Sequence, residues 1–211
     1  MCETRRDVSL GFTDERYPAG THMCLIFDNE EERREIISRF LNSGVDETEK
    51  VAYFADVAPT DETWQWLHDA GLSASVVDGP SFRISDAQAT YCPDGRFDPD
   101  GMLETLRAFH RTTLEEGYPG GRVSGEMTWA RRGIEGSERL IEYEARVNDV
   151  LQTHPVTAIC QYDARRFDGA TILDVLRVHP MMVVRGQVVH NPYYVRTGEW
   201  LAEHGVRAEA R

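Results

Sequence analysis

The sequence contains almost no lysine. Of 23 basic residues only Lys50 is a lysine, and the rest are arginines. A mechanism that uses a lysine amine as a Schiff-base nucleophile, or as a point charge for phosphate, therefore has a single candidate. Because Lys50 follows the polar stretch 46–49, we predict that it lies in a solvated loop and has neither role.

A glycine-rich phosphate-binding loop is also missing. The first apolar run, residues 23–27, is followed by Asp28, Asn29 and three glutamates (30–32), and no glycine occurs between this run and Gly44. A Walker-type loop needs glycines followed by Lys and Ser or Thr, and carboxylates at a helix N-terminus repel phosphate. Neither Gly-x-Gly-x-x-Gly nor Gly-x-Ser-x-Gly occurs. These absences exclude a phosphate cradle and a hydrolase nucleophile elbow.

Long hydrophobic runs, cysteine pairs and excess positive charge are absent as well. No segment approaches the ~20 apolar residues of a membrane helix, and the N-terminus lacks the apolar core of a signal peptide. The four cysteines form no Cys-x-x-Cys pair, which favours free thiols in a reducing compartment. A net charge of -13 disfavours direct nucleic-acid binding. We therefore expect a cytoplasmic protein with no cofactor, no membrane contact and no direct nucleic-acid partner.

Short apolar runs alternate with amphipathic stretches along the chain. This pattern predicts an α/β fold with three layers, in which a mainly parallel sheet carries helices on both faces and ends in a C-terminal β-hairpin. Strands are predicted at 23–27, 51–55, 82–84, 122–129 and 156–162, helices at about 30–44, 59–71, 99–116, 134–152 and 168–178, and the hairpin turn at Arg185-Gly186. We expect a flexible arm (1–15), one domain (16–195) and a tail or short helix (196–211).

Aromatic residues stand at the predicted strand ends, mostly beside an acid or amide. In an open α/β sheet, ligands bind outside the carboxyl ends of the strands. Such a lining suits a small, mostly apolar ligand with one or two polar groups, although each aromatic alone fits a core position equally well. We predict Trp129, Tyr162 and Tyr194 as the apolar walls of the pocket.

Polar contacts in this pocket are predicted from His22, His179 and Glu126, with Asn191 orienting the closing segment. Glu126 stands in an apolar strand, and a buried acid needs a partner, for which Arg131, Arg132 or a ligand are the options. As an alternative, Glu126 could act as the general acid or base of an enzyme.

Two further acids, Glu142 and Glu144, flank Tyr143 on a predicted helix. Tyr143 shares the apolar stripe of that helix, so we predict that both acids are solvated.

A metal centre is the alternative interpretation of the histidines and cysteines. His22 and Cys24 are two apart on a strand and face one side, Cys160 lies on another strand, and His179 precedes Pro180. Two His and two Cys would satisfy zinc if they met in space. Their long, irregular separations are unlike the spacings of structural zinc sites, and a buried Cys often packs as a small hydrophobe. We therefore assign Cys24 and Cys160 to the ligand pocket and predict no metal.

Six segments, taken in order, resemble the MEDS domain, the sensory domain named for methanogens, methylotrophs and the dichloromethane regulator. The resemblance extends from His22 to Tyr194. The segments are 22–27 with the acids that follow, 125–129, 143–144, 159–163, 179–180 and 191–194.

The resemblance implies a fold similar to RecA/KaiC-like ATPases without the phosphate loop, and a role in sensing simple hydrocarbon derivatives in prokaryotic signalling. Such domains often adjoin a helix-turn-helix or kinase module, for which these 211 residues have no room. We therefore expect a stand-alone sensor that signals through a partner protein or as a homodimer. The alternatives are an enzyme built on Glu126 or a His/Cys centre, and an interaction scaffold without a small ligand.

Overall fold

A seven-stranded sheet forms the centre of the molecule. The computed structural model describes residues 5–56, 60–72, 76 and 79–206. Two short strands, β1 (Asp7–Ser9) and β2 (Arg16–Pro18), form a separate antiparallel pair. The strands of the main sheet are β3 (His22–Phe27), β4 (Lys50–Ala55), β5 (Phe82–Asp86), β6 (Gly121–Glu126), β7 (Val156–Asp163), β8 (Met181–Val184) and β9 (Gln187–His190). Their order is β5-β4-β6-β7-β3-β8-β9, and only β8 with β9 is antiparallel.

Helices cover both faces of this sheet. They are α1 (Glu30–Asp46), α2 (Thr60–Asp69), α3 (Ala87–Tyr91), α4 (Pro99–Glu115), α5 (Leu140–Thr153), α6 (Gly169–Val178) and α7 (Thr197–Glu203). Helices α1 and α2 share a hydrophobic core with one face, here called the α1 face, while α4, α5 and α6 share a core with the other, the α5 face. The predicted three-layer α/β fold with a mainly parallel sheet and a C-terminal hairpin is confirmed.

Side chains alternate between these two faces along each strand. On β7, Cys160 and Tyr162 pack into the core of the α5 face, whereas Ile159 packs into the core of the α1 face. On β3, Cys24 belongs to the α5 face and Leu25 to the α1 face. Because both faces are covered, a polar side chain in a central strand must find its partner inside the protein.

Two predicted boundaries in the middle of the chain are wrong. Strand β6 ends at Glu126, and Trp129 lies in a short 3-10 helix rather than in the strand. Helix α5 begins only at Leu140, because Gly133 and Gly136 adopt φ angles of 68° and 84° that a right-handed helix cannot contain.

The first connection of the sheet also differs from the prediction. Helix α1 begins at Glu30 as predicted, with Asn29 as its N-cap, but continues past Gly44 to Asp46. Lys50 is not a loop residue: it is the first residue of β4, and its Nζ lies 2.5 Å from Glu116 Oε2. A cation at the start of a strand is stabilised here by a carboxylate from the end of α4.

Both termini pack on the domain within the described ranges. Residues 5–15 fall in the segment expected to be an arm, yet Val8 and Leu10 are fully buried in the core of the α1 face. In the expected tail, Trp200 and Leu201 of α7 are buried against α5. Residues 1–4 and 207–211 lie outside the described residues.

The C-terminal hairpin turns where the sequence predicts. Arg185 and Gly186 have φ angles of 50° and 68°, the left-handed pair of a tight two-residue hairpin turn. Upstream of the hairpin, α6 ends at Val178, and His179 already has extended backbone angles (φ -106°, ψ 118°).

The cysteines within the described residues are Cys24, Cys92 and Cys160, and all three are buried and free. Cys2 falls outside those residues. No helix in the described ranges combines the length and the apolar composition that crossing a membrane requires.

The loop before α5 provides a test of backbone strain. A Cβ on Gly136 would lie 2.1 Å from the Phe97 carbonyl oxygen, whereas a Cβ on Gly133 would meet nothing within 4 Å. Both glycines are left-handed, so we expect Gly133→Ala to cost about 1–2 kcal/mol of the free energy of unfolding. Gly136→Ala should cost about 1–3 kcal/mol more, because its methyl group also overpacks. Urea unfolding of the two variants measures the difference, and equal losses would contradict the close approach.

Candidate functional site

Four side chains from four elements converge inside the domain on the α5 face. They are His22 at the start of β3, Cys160 in β7, Glu144 in α5 and His179 in the link between α6 and β8. One nitrogen, sulfur or oxygen atom from each lies within 4.8 Å of the other three. All four residues are buried, and Glu144 and His179 have no exposed surface at all. We call this group the His-Glu-Cys-His cluster.

Glu144 Oε2 is the central atom of the cluster. It lies 3.4 Å from His22 Nε2, 3.5 Å from His179 Nε2 and 3.4 Å from Cys160 Sγ. His22 Nε2 and Cys160 Sγ are themselves 3.5 Å apart. The other carboxylate oxygen, Oε1, accepts a hydrogen bond of 2.6 Å from the Tyr162 hydroxyl. Tyr162 therefore orients Glu144 so that Oε2 faces the histidines and the cysteine.

Hydrogen bonds on the far side of each imidazole assign its tautomer. His179 Nδ1 lies 2.8 Å from the Val175 carbonyl oxygen, which can only accept, so Nδ1 carries a hydrogen. His22 Nδ1 lies 3.0 Å from Asn148 Oδ1. The Asn148 amide nitrogen donates to the carbonyl oxygens of Ala145 and Val178, so its oxygen is the atom that accepts from His22. In its neutral form, each ring therefore directs the Nε2 lone pair into the cluster.

Burial shifts the pKa of two members of the cluster, His22 and Cys160. It lowers the pKa of His22, helped by the neighbouring His179, and it raises the pKa of the Cys160 thiol well above its ordinary value. Cys24, on the neighbouring strand opposite Cys160, has a pKa raised by burial to about 12. Its sulfur lies 3.8 Å from the Met181 carbonyl oxygen and does not belong to the His-Glu-Cys-His cluster.

Three of the four residues, His22, Cys160 and His179, belong to the metal centre considered from the sequence, whereas Glu144 does not. The prediction that Glu144 is solvated is wrong, because the apolar pattern of α5 continues through it. Leu140, Glu144, Val147 and Leu151 follow one another at spacings of three or four, so they share one side of the helix. A single acid in such a stripe is the signal that could have identified it.

Glu126 lies on the opposite face of the sheet from His22, so these two predicted pocket residues do not share a site. Its partner is Arg33, in the first turn of α1, and not Arg131 or Arg132. Glu126 Oε1 lies 2.9 Å from Arg33 Nη1 and accepts from the Tyr53 hydroxyl, and Oε2 accepts from the Asp56 backbone N–H at 3.0 Å.

Arg33 holds several strands together at this point. It is 1% exposed, and its guanidinium also donates to Tyr53 Oη and Gln161 Oε1, at 3.0 Å and 2.9 Å, and to Glu30. Burial and the adjacent Glu126 raise the pKa of Tyr53 above its ordinary value. With these partners, the oxygens of Glu126 are engaged in structure, which disfavours an acid/base role.

Trp129 is a core residue rather than a pocket wall. It is fully buried, stacks on Tyr91 with ring centroids 4.9 Å apart, and lies 4.9 Å from the Phe97 ring. The aromatic group continues to Tyr143 of α5. Of the two interpretations of an aromatic residue at a strand end, pocket wall or core, the core is therefore the correct one for Trp129.

Asn191 and Tyr194 follow the hairpin. The Asn191 amide nitrogen donates to the carbonyl oxygens of Leu176 and His179, at 2.5 Å and 2.9 Å. Asn191 thereby connects the segment after β9 to the link that carries His179. Tyr194 lies in a surface cleft that reaches His22.

This cleft, the His22 cleft, has a volume of about 280 Å³. It lies at the amino end of β3, whereas sequence analysis placed the pocket at the carboxyl ends of the strands. That location is wrong for His22, the first residue of β3. The lining comprises Arg5, Pro18, Gly20, Thr21, His22, Asn148, Leu151, Gln152, Pro180, Met181 and Tyr194.

A larger groove, of about 900 Å³, lies between the β5 side of the sheet and α4. It is lined mainly by apolar side chains such as Phe54, Leu106 and Phe109, and it contains none of the predicted site residues. Size alone favours this groove as a binding site, but the concentration of buried polar groups favours the His22 cleft.

The role of Glu126 can be tested by stability. Glu126→Gln leaves the Arg33 charge without its buried carboxylate, so we expect the free energy of unfolding to fall by about 3–5 kcal/mol. The loss should be near the lower end of this range, because Glu30 remains as a partner of Arg33. The control is Glu62→Gln, which removes an exposed partner of Arg34 and should cost about 0–1 kcal/mol. Urea unfolding measures both, and a Glu126→Gln protein as stable as the control would contradict a structural ion pair.

Two solved structures have a fold similar to that of this chain. The KaiC-like protein PH0186 of Pyrococcus horikoshii is similar with a TM-score of 0.59 and 14% identity, over 84% of this chain and 79% of that protein. The flagellar accessory protein FlaH of Methanocaldococcus jannaschii is similar with a TM-score of 0.59 and 10% identity, over 86% and 83%. The fold is therefore RecA/KaiC-like, as the resemblance implied.

Comparison of sequences identifies the family. The chain is 33% identical over 97 residues to the transcriptional repressor DcmR of Methylorubrum extorquens; this match covers 46% of the chain and 36% of the repressor. The model of the MEDS family, described as the methanogen/methylotroph, DcmR sensory domain, matches residues 21–180. That range contains every residue of the His-Glu-Cys-His cluster and more than half of the 211 residues. The chain therefore belongs to the MEDS family of sensory domains.

Proposed function

We propose that this chain is a sensory domain that binds a small, mostly apolar molecule with one polar group in the His22 cleft. The observation that carries the proposal is the position of this cleft: its lining includes His22, a member of a buried polar cluster. Membership of a sensory family and the relation to a transcriptional repressor support a regulatory role.

The lining of the cleft suits such a ligand. Leu151, Pro180, Met181 and Tyr194 supply apolar surface, and Thr21 and Gln152 supply polar groups beside the buried His22. Since liquid water occupies about 30 Å³ per molecule, the cleft holds the equivalent of roughly nine waters. This volume favours compounds of the size of simple alcohols, methylated amines or halocarbons over nucleotides.

A route for the signal begins at His179. Its backbone carbonyl accepts from Asn191, so the link that carries the ring also contacts the segment that leads to Tyr194 and α7. A ligand between Tyr194 and His22 would bind most tightly when this segment is in one particular position. Because the ligand has a higher affinity for that conformation than for others, its binding shifts the conformational equilibrium. We propose that a regulatory partner, or a second copy of the chain, reads the position of α7.

The proposal predicts that a small molecule stabilises the protein through Tyr194. In a thermal-unfolding screen of simple alcohols, methylated amines and halocarbons, a compound at 100 times its Kd adds about 2.7 kcal/mol of stability. This amounts to a rise in Tm of roughly 5–10 °C for a domain of this size. We expect Tyr194→Ala to weaken binding at least about tenfold, because it removes an apolar wall worth about 1.5–3 kcal/mol when covered.

Tyr193→Ala is the matched control, because Tyr193 is 56% exposed and does not line the cleft. This variant should respond to the compound as the wild type does. The pocket assignment is wrong if no compound in the panel stabilises the wild type, or if the Tyr194 and Tyr193 variants respond equally.

A further inference from the structure

We propose that the His-Glu-Cys-His cluster is a binding site for one divalent transition-metal ion, with zinc as the best fit. The ligand atoms are Nε2 of His22, Nε2 of His179, Sγ of Cys160 and one carboxylate oxygen of Glu144. This assignment replaces the two-cysteine centre considered from the sequence: Glu144 takes the place of Cys24.

Four of the six separations between the ligand atoms match the edges of a coordination tetrahedron. Zinc is bound at about 2.0–2.3 Å by nitrogen, oxygen and sulfur, so the edges of its coordination tetrahedron are about 3.3–3.7 Å long. The separations from Glu144 Oε2 to His22, His179 and Cys160, and from His22 to Cys160, are 3.4–3.5 Å. The two remaining separations, from His179 to His22 and to Cys160, are at most 4.8 Å. An ion at the centre of the four atoms would reach all of them with small side-chain adjustments.

A buried nitrogen without a hydrogen bond supports this assignment. Among the described residues, none forms a hydrogen bond with His179 Nε2, which is fully buried and lies 3.5 Å from Glu144 Oε2. Its Nδ1 hydrogen is already donated to the Val175 carbonyl, so Nε2 presents a lone pair to the cluster. A buried polar atom without a partner is costly, and a metal ion satisfies this lone pair together with that of His22.

Outer partners complete the arrangement expected of a metal site. A metal-binding histidine usually donates its second ring N–H to a carbonyl or carboxylate, and a ligating carboxylate is itself hydrogen-bonded. His179 donates to a backbone carbonyl, His22 to the Asn148 side chain, and Glu144 accepts from Tyr162 through its other oxygen. All three ligands are thus oriented before any ion arrives.

The charges also balance. When the ion binds, Cys160 loses its S–H proton to solvent, and the thiolate and the Glu144 carboxylate together carry two negative charges. Two neutral histidines add none, so a divalent ion leaves the buried site neutral, which avoids an unpaired charge in the interior. The set of two imidazoles, one thiolate and one carboxylate suits zinc, cobalt or iron(II) and disfavours magnesium and calcium.

Metal binding would join four elements of the fold. The ligands come from β3, β7, α5 and the link between α6 and β8, and His22 also borders the proposed ligand cleft. Four protein ligands leave no open position, as in structural sites. The inference that the ion fixes the wall of the sensory cleft rests on the proposed function. The inference that an ion binds to the cluster does not rest on it.

Metal analysis of the untagged 211-residue protein tests the site directly. We expect one equivalent of zinc after purification from zinc-supplemented medium and, after chelation and refilling with cobalt(II), the absorption of a tetrahedral site with a thiolate-to-cobalt band. Cys160→Ser should lose that band, and Cys24→Ser, the matched buried thiol on the adjacent strand, should keep it. Asn148→Ala should weaken metal affinity about 10–100-fold through the orientation of His22.

Three results would overturn the proposal: wild-type protein that is folded but takes up neither zinc nor cobalt, a thiolate band that survives Cys160→Ser, or a band lost only in Cys24→Ser. Circular dichroism of each variant establishes that it is folded, and the wild-type measurement decides the question even if a variant does not fold. Zinc binding without any response to the small-molecule panel would support the metal site and refute the proposed sensory cleft; the reverse result would do the opposite.

Discussion

A parallel sheet covered by helices on both faces denies water to the side chains of its central strands, and the polar residues of this protein are arranged around that constraint. Glu126, Gln161 and Cys160 are all buried in central strands. Each can be retained only if a partner comes from a helix or a neighbouring strand. Arg33 from α1 and Glu144 from α5 are those partners.

Strand alternation separates the resulting networks. Adjacent residues of β7 take part in different hydrogen-bond networks. Gln161 contacts Arg33 on the α1 face, whereas Cys160 and Tyr162 contact Glu144 on the α5 face. The first network is complete within the protein and joins the first turn of α1 to β4, β6 and β7. In the second, one nitrogen lone pair, that of His179 Nε2, has no hydrogen-bond partner among the described residues. This difference is the reason why we assign a structural role to the first network and propose an ion for the second.

Much of the fold could be predicted because its signals are local. The start of α1 at residue 30, the hairpin turn at Arg185-Gly186 and the alternation of strands with helices each depend on a few neighbouring residues. The predictions of element boundaries fail where tertiary structure determines the local backbone conformation. The 3-10 helix at Trp129 and the late start of α5 depend on the conformations of glycines that a helical pattern does not reveal.

The site could be predicted only in part, for a related reason. His22, Cys160 and His179 were grouped by residue type, but their meeting point required the β3–β7 register and the position of α5. Glu144 was missed because a polar residue beside an apolar stripe is normally solvated. The separation of Glu126 from His22 required the strand order, since only the pairing of β6 with β7 and of β7 with β3 defines the face on which each side chain lies.

The extended backbone of His179 has a cause in its neighbour. Proline disfavours the helical conformation in the residue before it, so Pro180 ends α6 at Val178 and sets the backbone angles of His179 whether or not anything is bound. The ring is then fixed from its other side by the Val175 carbonyl, one turn back in the same helix. An ion that binds through this imidazole would therefore not lose affinity to the entropic cost of ordering the ring. The local chain stiffness set by a single proline would then contribute to the affinity of the proposed metal site.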